Sequence, residues 1–396
     1  MSTEQENPVA EDYELRPEQL TPEEIPWRDR YSWLLSVGYR LRERYNPDWK
    51  PSWVGTKKEA LACEDAQPIF FASINHAVRS ETGDSVVLKH IDHAKFPREI
   101  EVMKFLSEEP LASDPRNHSV RPIEILQPPN EENASIVVIP LLRYYDDPPF
   151  DTIGEALDFI LQFLTVRLAS AFSSQRGADC RKAMHFLHEH RVIHGDVSIN
   201  NIMMDASGLY PTGFHPTRPD KKTDYSGYSS PKYSRTEKPP KYYMIDFGLA
   251  KKFNEGDPIL PTARPGTDRS VPEYYDKTKP INPFFVDVYC VGNMIKTEFL
   301  DGEPDDEAEQ GYYNFEFLRP LITAMTDEDP EKRPTMEGVL AQFNDIVNGM
   351  SSSTLRSECV KKGERIPGIY LRHSIEQWFK RLSYIVRRLP PIPSRK

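Results

Sequence analysis

The 396-residue chain carries 61 Asp and Glu against 50 Lys and Arg, a formal charge of −11 that argues against a general nucleic-acid role. Its four cysteines, Cys63, Cys180, Cys290 and Cys359, have no paired spacing, which points to a reducing compartment and away from a zinc site or a disulfide framework. The polar start to about Glu24 lacks the apolar core of a signal peptide, and no run is long and apolar enough to cross a membrane, so an intracellular protein, cytoplasmic or nuclear, is expected.

Residues 1–25 read as a disordered acidic tail, followed by a helical extension over 26–69. Within that extension Trp27, Tyr31, Leu34, Tyr39, Leu41 and Tyr45 recur at roughly helical spacing, which predicts an amphipathic helix from Pro26 to Tyr45. Phe70 to Val78 reads as a strand, Glu81-Thr82-Gly83-Asp84 as a turn, and Ser85 to Ile91 as the returning strand. Alternation places Lys89 on the same face as Val87 and Ile91, an apolar side where a surface strand rarely carries a lysine. A helix from Pro97 to about Leu106 has Glu99, Val102, Met103 and Leu106 on one stripe. A carboxylate on that stripe needs a buried cation, and Lys89 is the obvious partner; Glu101 lies off the stripe and faces solvent. Strands around Pro122–Leu126 and Ile136–Leu142 follow.

Thr152-Ile153-Gly154-Glu155 is a capping box opening a helix with Ala156, Leu157, Ile160, Phe163 and Leu164 on it. Helical character resumes at Arg181–Leu187. The small, polar stretch Thr165–Cys180 between them reads as an insertion or as a translated intron. Two apolar runs then each end on an aspartate: Val192-Ile193-His194-Gly195-Asp196-Val197-Ser198-Ile199-Asn200-Asn201, and Tyr243-Met244-Ile245-Asp246-Phe247-Gly248. A core strand ending on a carboxylate holds it rigidly, and two Asp with one Asn supply the groups phosphoryl transfer requires: one to orient a hydroxyl, and oxygen donors for Mg²⁺ on nucleotide phosphates. The stretch from Asp205 to Pro240, rich in Pro, Tyr, Ser, Lys and Gly, has the composition of a long surface loop.

In this order the motifs resemble the eukaryotic protein kinase family over roughly Phe70 to Asn348. The resemblance implies an α+β, bilobal fold, with a small antiparallel β lobe carrying one helix (70–142) and a mainly helical large lobe (143–348). It implies that Asp196 is the catalytic base, that Asn201 and Asp246 are Mg²⁺ ligands, and that Lys89, supported by Glu99, binds ATP phosphates. Val87, Ile139, Leu142 and Met203 would line the nucleotide site. Val271-Pro272-Glu273 resembles the end of the activation segment, with Glu273 paired to Arg333, and Asp287 resembles the aspartate that pins the catalytic loop. Three departures stand out. No Gly-rich loop precedes Lys89, Gly195 replaces the usual arginine, and Ser198 stands in the place of the lysine that neutralises the moving phosphate.

At finer grain, Gly38-Tyr39-Arg40-Leu41-Arg42, Pro51-Ser52-Trp53, Gly213-Phe214-His215-Pro216 and Arg388-Leu389-Pro390 resemble kinase-like proteins of mushroom-forming (basidiomycete) fungi. The end of the chain, 349–396, is basic. An amphipathic helix from Ser374 to Leu389 is expected there, docked on the acidic body, with a partner or lipid-surface contact as the alternative. The expected function is ATP- and Mg²⁺-dependent phosphorylation of protein Ser/Thr. The rivals are a pseudokinase scaffold, favoured by the absent Gly-rich loop, and a small-molecule kinase, suggested by Gly195.

Overall fold

The computed structural model describes residues 16–164, 183–259, 265–276, 281–302, 310–363 and 378–394. The chain is α+β. Its first part is a five-stranded, wholly antiparallel sheet in the order β1-β2-β3-β5-β4, formed by Tyr39–Leu41 (β1), Ile74–Arg79 (β2), Ser85–Asp92 (β3), Glu124–Leu126 (β4) and Ala134–Pro140 (β5).

The expected helix from Pro26 to Tyr45 is instead two short helices, α1 (Ile25–Asp29) and α2 (Tyr31–Ser36), followed by β1. Trp27, Tyr31 and Leu34 keep a helical spacing, but Gly38, at φ +93°, ends the run, and Tyr39 and Leu41 alternate as on a strand. These side chains pack with Ala77, Val86, Leu88, Ile136 and Val138 as a core on one face of the sheet. The boundary between extension and sheet at residue 70 is therefore displaced, because the extension supplies the edge strand. Nor does the tail reading reach Glu24, which is fully buried against Arg44 at 2.8 Å and accepts the Tyr45 hydroxyl. The expected strand from Phe70 starts only at Ile74, and Phe70 and Phe71 are exposed.

The helix α3 (Glu99–Ser107) buries Glu99, Val102, Met103 and Leu106, and leaves Glu101 exposed. A second sheet, in the order β6-β8-β9, comprises Arg143–Tyr144 (β6), Ile202–Asp205 (β8) and Lys241–Met244 (β9). Below it α4 (Ile153–Leu164) is buried on all sides, against α5 (Ala183–Glu189), α8 (Met336–Asn348) and α9 (Ser352–Leu355). The helices α6 (Pro283–Ile295) and α7 (Arg319–Met325) complete this core. The stretch Thr165–Cys180 lies outside the described residues.

The segment 206–240 is a loop without helix or strand, as expected, but part of it is anchored in the body. Leu209, Tyr210, Phe214, His215, Arg235 and Thr236 are buried. The Arg143 guanidinium stacks on Tyr210 and Phe214 at 4.3 and 4.7 Å, and Thr236 donates to the buried Glu155 carboxylate. Composition does not show this anchoring, because it rests on a buried cation facing two aromatic rings that also meet edge to face at 5.7 Å.

Candidate functional site

The alternation of β3 divides its side chains between two environments. Val86 and Leu88 enter the core under α1 and α2, while Val87 and Lys89 face the opposite side. Lys89 Nζ donates to Glu99 Oε1 at 2.5 Å and to Asp246 Oδ1 at 2.9 Å, so one ammonium ties the sheet, α3 and the turn after β9 together. Burial alone would lower the Lys89 pKa, but the two carboxylates outweigh it and hold it above the ordinary lysine value. Burial likewise opposes ionisation of Asp246, and Lys89 overcomes it, so this carboxyl lies below the usual range. Burial raises Glu99 against the pull of the same lysine.

The pair β7 (Val192–Ile193) and β10 (Lys251–Lys252) leads into the turn bearing Asp196. The amides of His194 and Gly195 donate to Asp287 on α6 at 2.9 and 3.0 Å, and His188 Nε2 donates to the same carboxylate at 3.1 Å. Gly195 sits at φ +75°, and a Cβ there would lie 2.7 Å from the Leu249 carbonyl oxygen. The glycine is thus required by the backbone, independently of the arginine it lacks.

Asn201 Nδ2 donates to the carbonyl and to Oδ2 of Asp196 at 2.8 and 3.2 Å, while the Thr267 amide donates to Oδ1 at 2.6 Å. The Ile245 amide donates to the Asn201 carbonyl at 2.9 Å, which sets Asp246 beside the Asp196 turn. Ser198 lies in this turn with its hydroxyl buried and without a hydrogen bond.

Val87 and Ile139 are direct cross-strand neighbours, and Met203 pairs with Tyr144 just beyond Leu142. Val87, Ile139 and Met203 are half-buried and Leu142 is buried. The structure therefore unites Lys89, Glu99 and Asp246 in one hydrogen-bonded group, and Asp196 with Asn201 in a second. Glu273 and Arg333 form the expected pair, at 2.6 and 2.7 Å.

Two groupings of residues are not expected from the sequence, although Arg42 and His215 lie in motifs it offers. One is Gly266-Thr267, whose backbone covers Asp196. The other is a cluster beside Val87: His76, directly opposite it on β2, Arg42 at the end of β1, Glu64 and His215. His215 Nε2 donates to Glu64 Oε1 at 3.0 Å, and Arg42 pairs with the same carboxylate. Burial, reinforced by the Arg42 and His215 charges, depresses His76 to about 3, and its Nδ1 has no partner. Residues this distant meet only through folding.

A scan of the chain against models of known protein families finds no match, and a search of curated proteins finds no relative.

Proposed function

We propose that the chain adopts a bilobal protein kinase-like fold, with the five-stranded sheet and α3 as the small lobe, and that it transfers the γ-phosphoryl group of Mg²⁺-ATP to protein serine or threonine. The observation that supports this reading best is the Lys89 ammonium shared by Glu99 and Asp246, with Asp196 and Asn201 in the adjoining turn. A cation fixed by a buried carboxylate is a ready partner for phosphate oxygens. The donor set fits Mg²⁺: Asp246 is half-exposed, and the Asn201 amide, with Nδ2 turned to Asp196, leaves its oxygen free to coordinate. Among the described residues no three His, Cys, Asp or Glu converge into a metal site. Mg²⁺ fits such a set because it takes one or two carboxylates and completes its shell with phosphates and water.

Bound Mg²⁺ would supply charge neutralisation on the phosphates. Lys89 would orient those phosphates, Val87 and Ile139 would cover the base from the sheet side, and Met203 and Leu142 would flank it. Asp196, pinned through the Asp287 contacts to its own backbone turn, would accept a hydrogen bond from the attacking hydroxyl. The test is a thermal shift with Mg²⁺-ATP joined to transfer of labelled γ-phosphate to a generic protein substrate. Wild type should show both, and Lys89→Ala and Asp246→Asn a smaller shift and no transfer. Absence of any shift with folded wild type would overturn the reading.

Two observations favour the scaffold alternative. Where a short Gly-rich turn would join β1 to β2, the chain instead runs from residue 42 to 73, and Thr267 and Asn201 already occupy both oxygens of Asp196. A shift without phosphate transfer would select that alternative.

A further inference from the structure

Residues 378–386 are helical, and the helix is docked with its polar side inward. Its inner stripe is Lys380, Tyr384 and Arg387. Lys380 Nζ donates to Asp151 at 3.0 Å, Tyr384 is buried, and Arg387 pairs with Glu237. Beside them Arg381 donates to Ser353 Oγ at 2.8 Å. These contacts fix the rotation of the helix about its axis. Its other side carries Trp378, Phe379, Leu382, Ile385 and Val386, at i, i+1, i+4, i+7 and i+8, exposed by 58, 61, 43, 50 and 74%. A helix that only stabilised the body would bury that stripe and hydrate its cations. This one does the reverse, and holds a continuous apolar ridge away from the protein.

We propose that this ridge inserts into the surface of an anionic lipid bilayer. Charge supports the choice. Residues 349–396 contain eleven Lys and Arg against three Glu, in a chain whose formal charge is −11, so an anionic surface attracts this end and repels the remainder. The Lys380 and Arg387 side chains stay about half-exposed, and Arg388 is exposed next to the ridge. Their carboxylate partners are partly solvated, so headgroup phosphates can share these cations without unseating the helix. Trp and Phe with aliphatic neighbours along one face, flanked by Arg and Lys, are the composition of a helix lying in the membrane interface. A second copy of the chain is a poorer occupant. Five half-exposed side chains on two and a half turns offer a few hundred Å², short of the roughly 800 Å² per partner of a standard stable interface.

The test uses the full chain and sedimentation with vesicles of phosphatidylcholine, alone or mixed with phosphatidylserine. Wild type should sediment with the mixed vesicles, and the bound fraction should fall as salt rises. Phe379→Asp combined with Ile385→Asp should weaken vesicle affinity at least about tenfold. The melting temperature and any Mg²⁺-ATP shift should be unchanged, because both side chains point away from the body. Failure to bind mixed vesicles at low salt overturns the proposal, as does equal binding to pure phosphatidylcholine. A wild-type dimer that the double substitution converts to monomer would assign the ridge to self-association and overturn it as well. None of these outcomes depends on phosphoryl transfer.

Discussion

Arg333 meets Glu273 through two parallel hydrogen bonds of 2.6 and 2.7 Å, sixty residues apart in sequence and with both side chains out of water. Arg333 also donates to the carbonyls of Asp327 and Phe285, so it ties the segment following Asp246 to the start of α6 and to the turn before α8. Removing one member strands a buried charge, which costs about 3–5 kcal/mol. Glu273→Ala and Arg333→Ala should each lower unfolding free energy by that order in urea denaturation, with an unchanged dependence on denaturant. A loss below about 1 kcal/mol would place the pair at a solvated surface.

Lys89 and Asp246 predict both ligand binding and a pH profile. Replacing Lys89 by Ala deletes charge-assisted hydrogen bonds worth about 1.5–3 kcal/mol each, so Mg²⁺-ATP affinity should drop about 10- to 100-fold, measured by calorimetry. The folded pKa of Asp246 is lowered, so its contribution to stability is present above the unfolded value near 3.9 and is lost as pH falls through the folded value. That of Lys89 is raised, so its contribution is present below about 10.4 and is lost as pH rises through the folded value. Stability from this contact therefore peaks between them, and Lys89→Met should flatten the alkaline limb.

The parts of this arrangement that could be read from sequence are those carried by short periods. Alternation over Val86–Ile91 and the stripe through Glu99 and Leu106 were enough to expect Lys89 against Glu99, and the two are 2.5 Å apart. Tyr39 and Leu41 were misassigned because two or three alternating residues cannot be distinguished from the tail of a preceding helix until Gly38 is known to turn. The segment 206–240 is the loop that its composition implies, without helix or strand, but the burial of some of its side chains is not legible in it. Its buried character comes from Arg143 and Arg235 reaching aromatic faces and carbonyls, and polar composition carries no sign of that. Likewise nothing near Thr267 in sequence marks its amide as the partner of Asp196.

His76 should control stability in mild acid. It is half-buried, with Nδ1 enclosed, next to Arg42 and His215, and its folded pKa, near 3, lies below the unfolded value near 6.5. Between these values the unfolded chain binds the proton and the folded chain does not, so stability falls as pH falls from 6.5, at up to about 1.4 kcal/mol per pH unit. Burial raises the Glu99, Asp146 and Glu155 carboxyls, and other histidines titrate near this range, so it is the comparison with a His76 variant that isolates the histidine. Denaturation of His76→Gln at pH 6.5 and 5 should show a smaller difference than wild type. An equal difference would mean that His76 is hydrated or protonated in the folded protein.

Gly266 passes so close to Asp196 that a methyl group there would lie 2.8 Å from Oδ1 and 2.7 Å from the Gly195 carbonyl oxygen. Neither neighbour can retreat without giving up a contact. Gly195 is held by its own positive φ and by its amide bond to Asp287, and Asp196 Oδ2 is held by Asn201. Gly266→Ala must therefore move the segment bearing Thr267 or rotate the Asp196 carboxylate. Either shift is of the order of 1 Å, and misplacement by about that distance costs roughly a hundredfold in turnover. On the proposed function, phosphate transfer should fall by about that factor, while the Mg²⁺-ATP thermal shift, which that proposal assigns to Lys89 and Asp246, should remain. Parallel loss of both would show that the segment supports nucleotide binding itself. Unchanged transfer would remove Asp196 from the reacting centre.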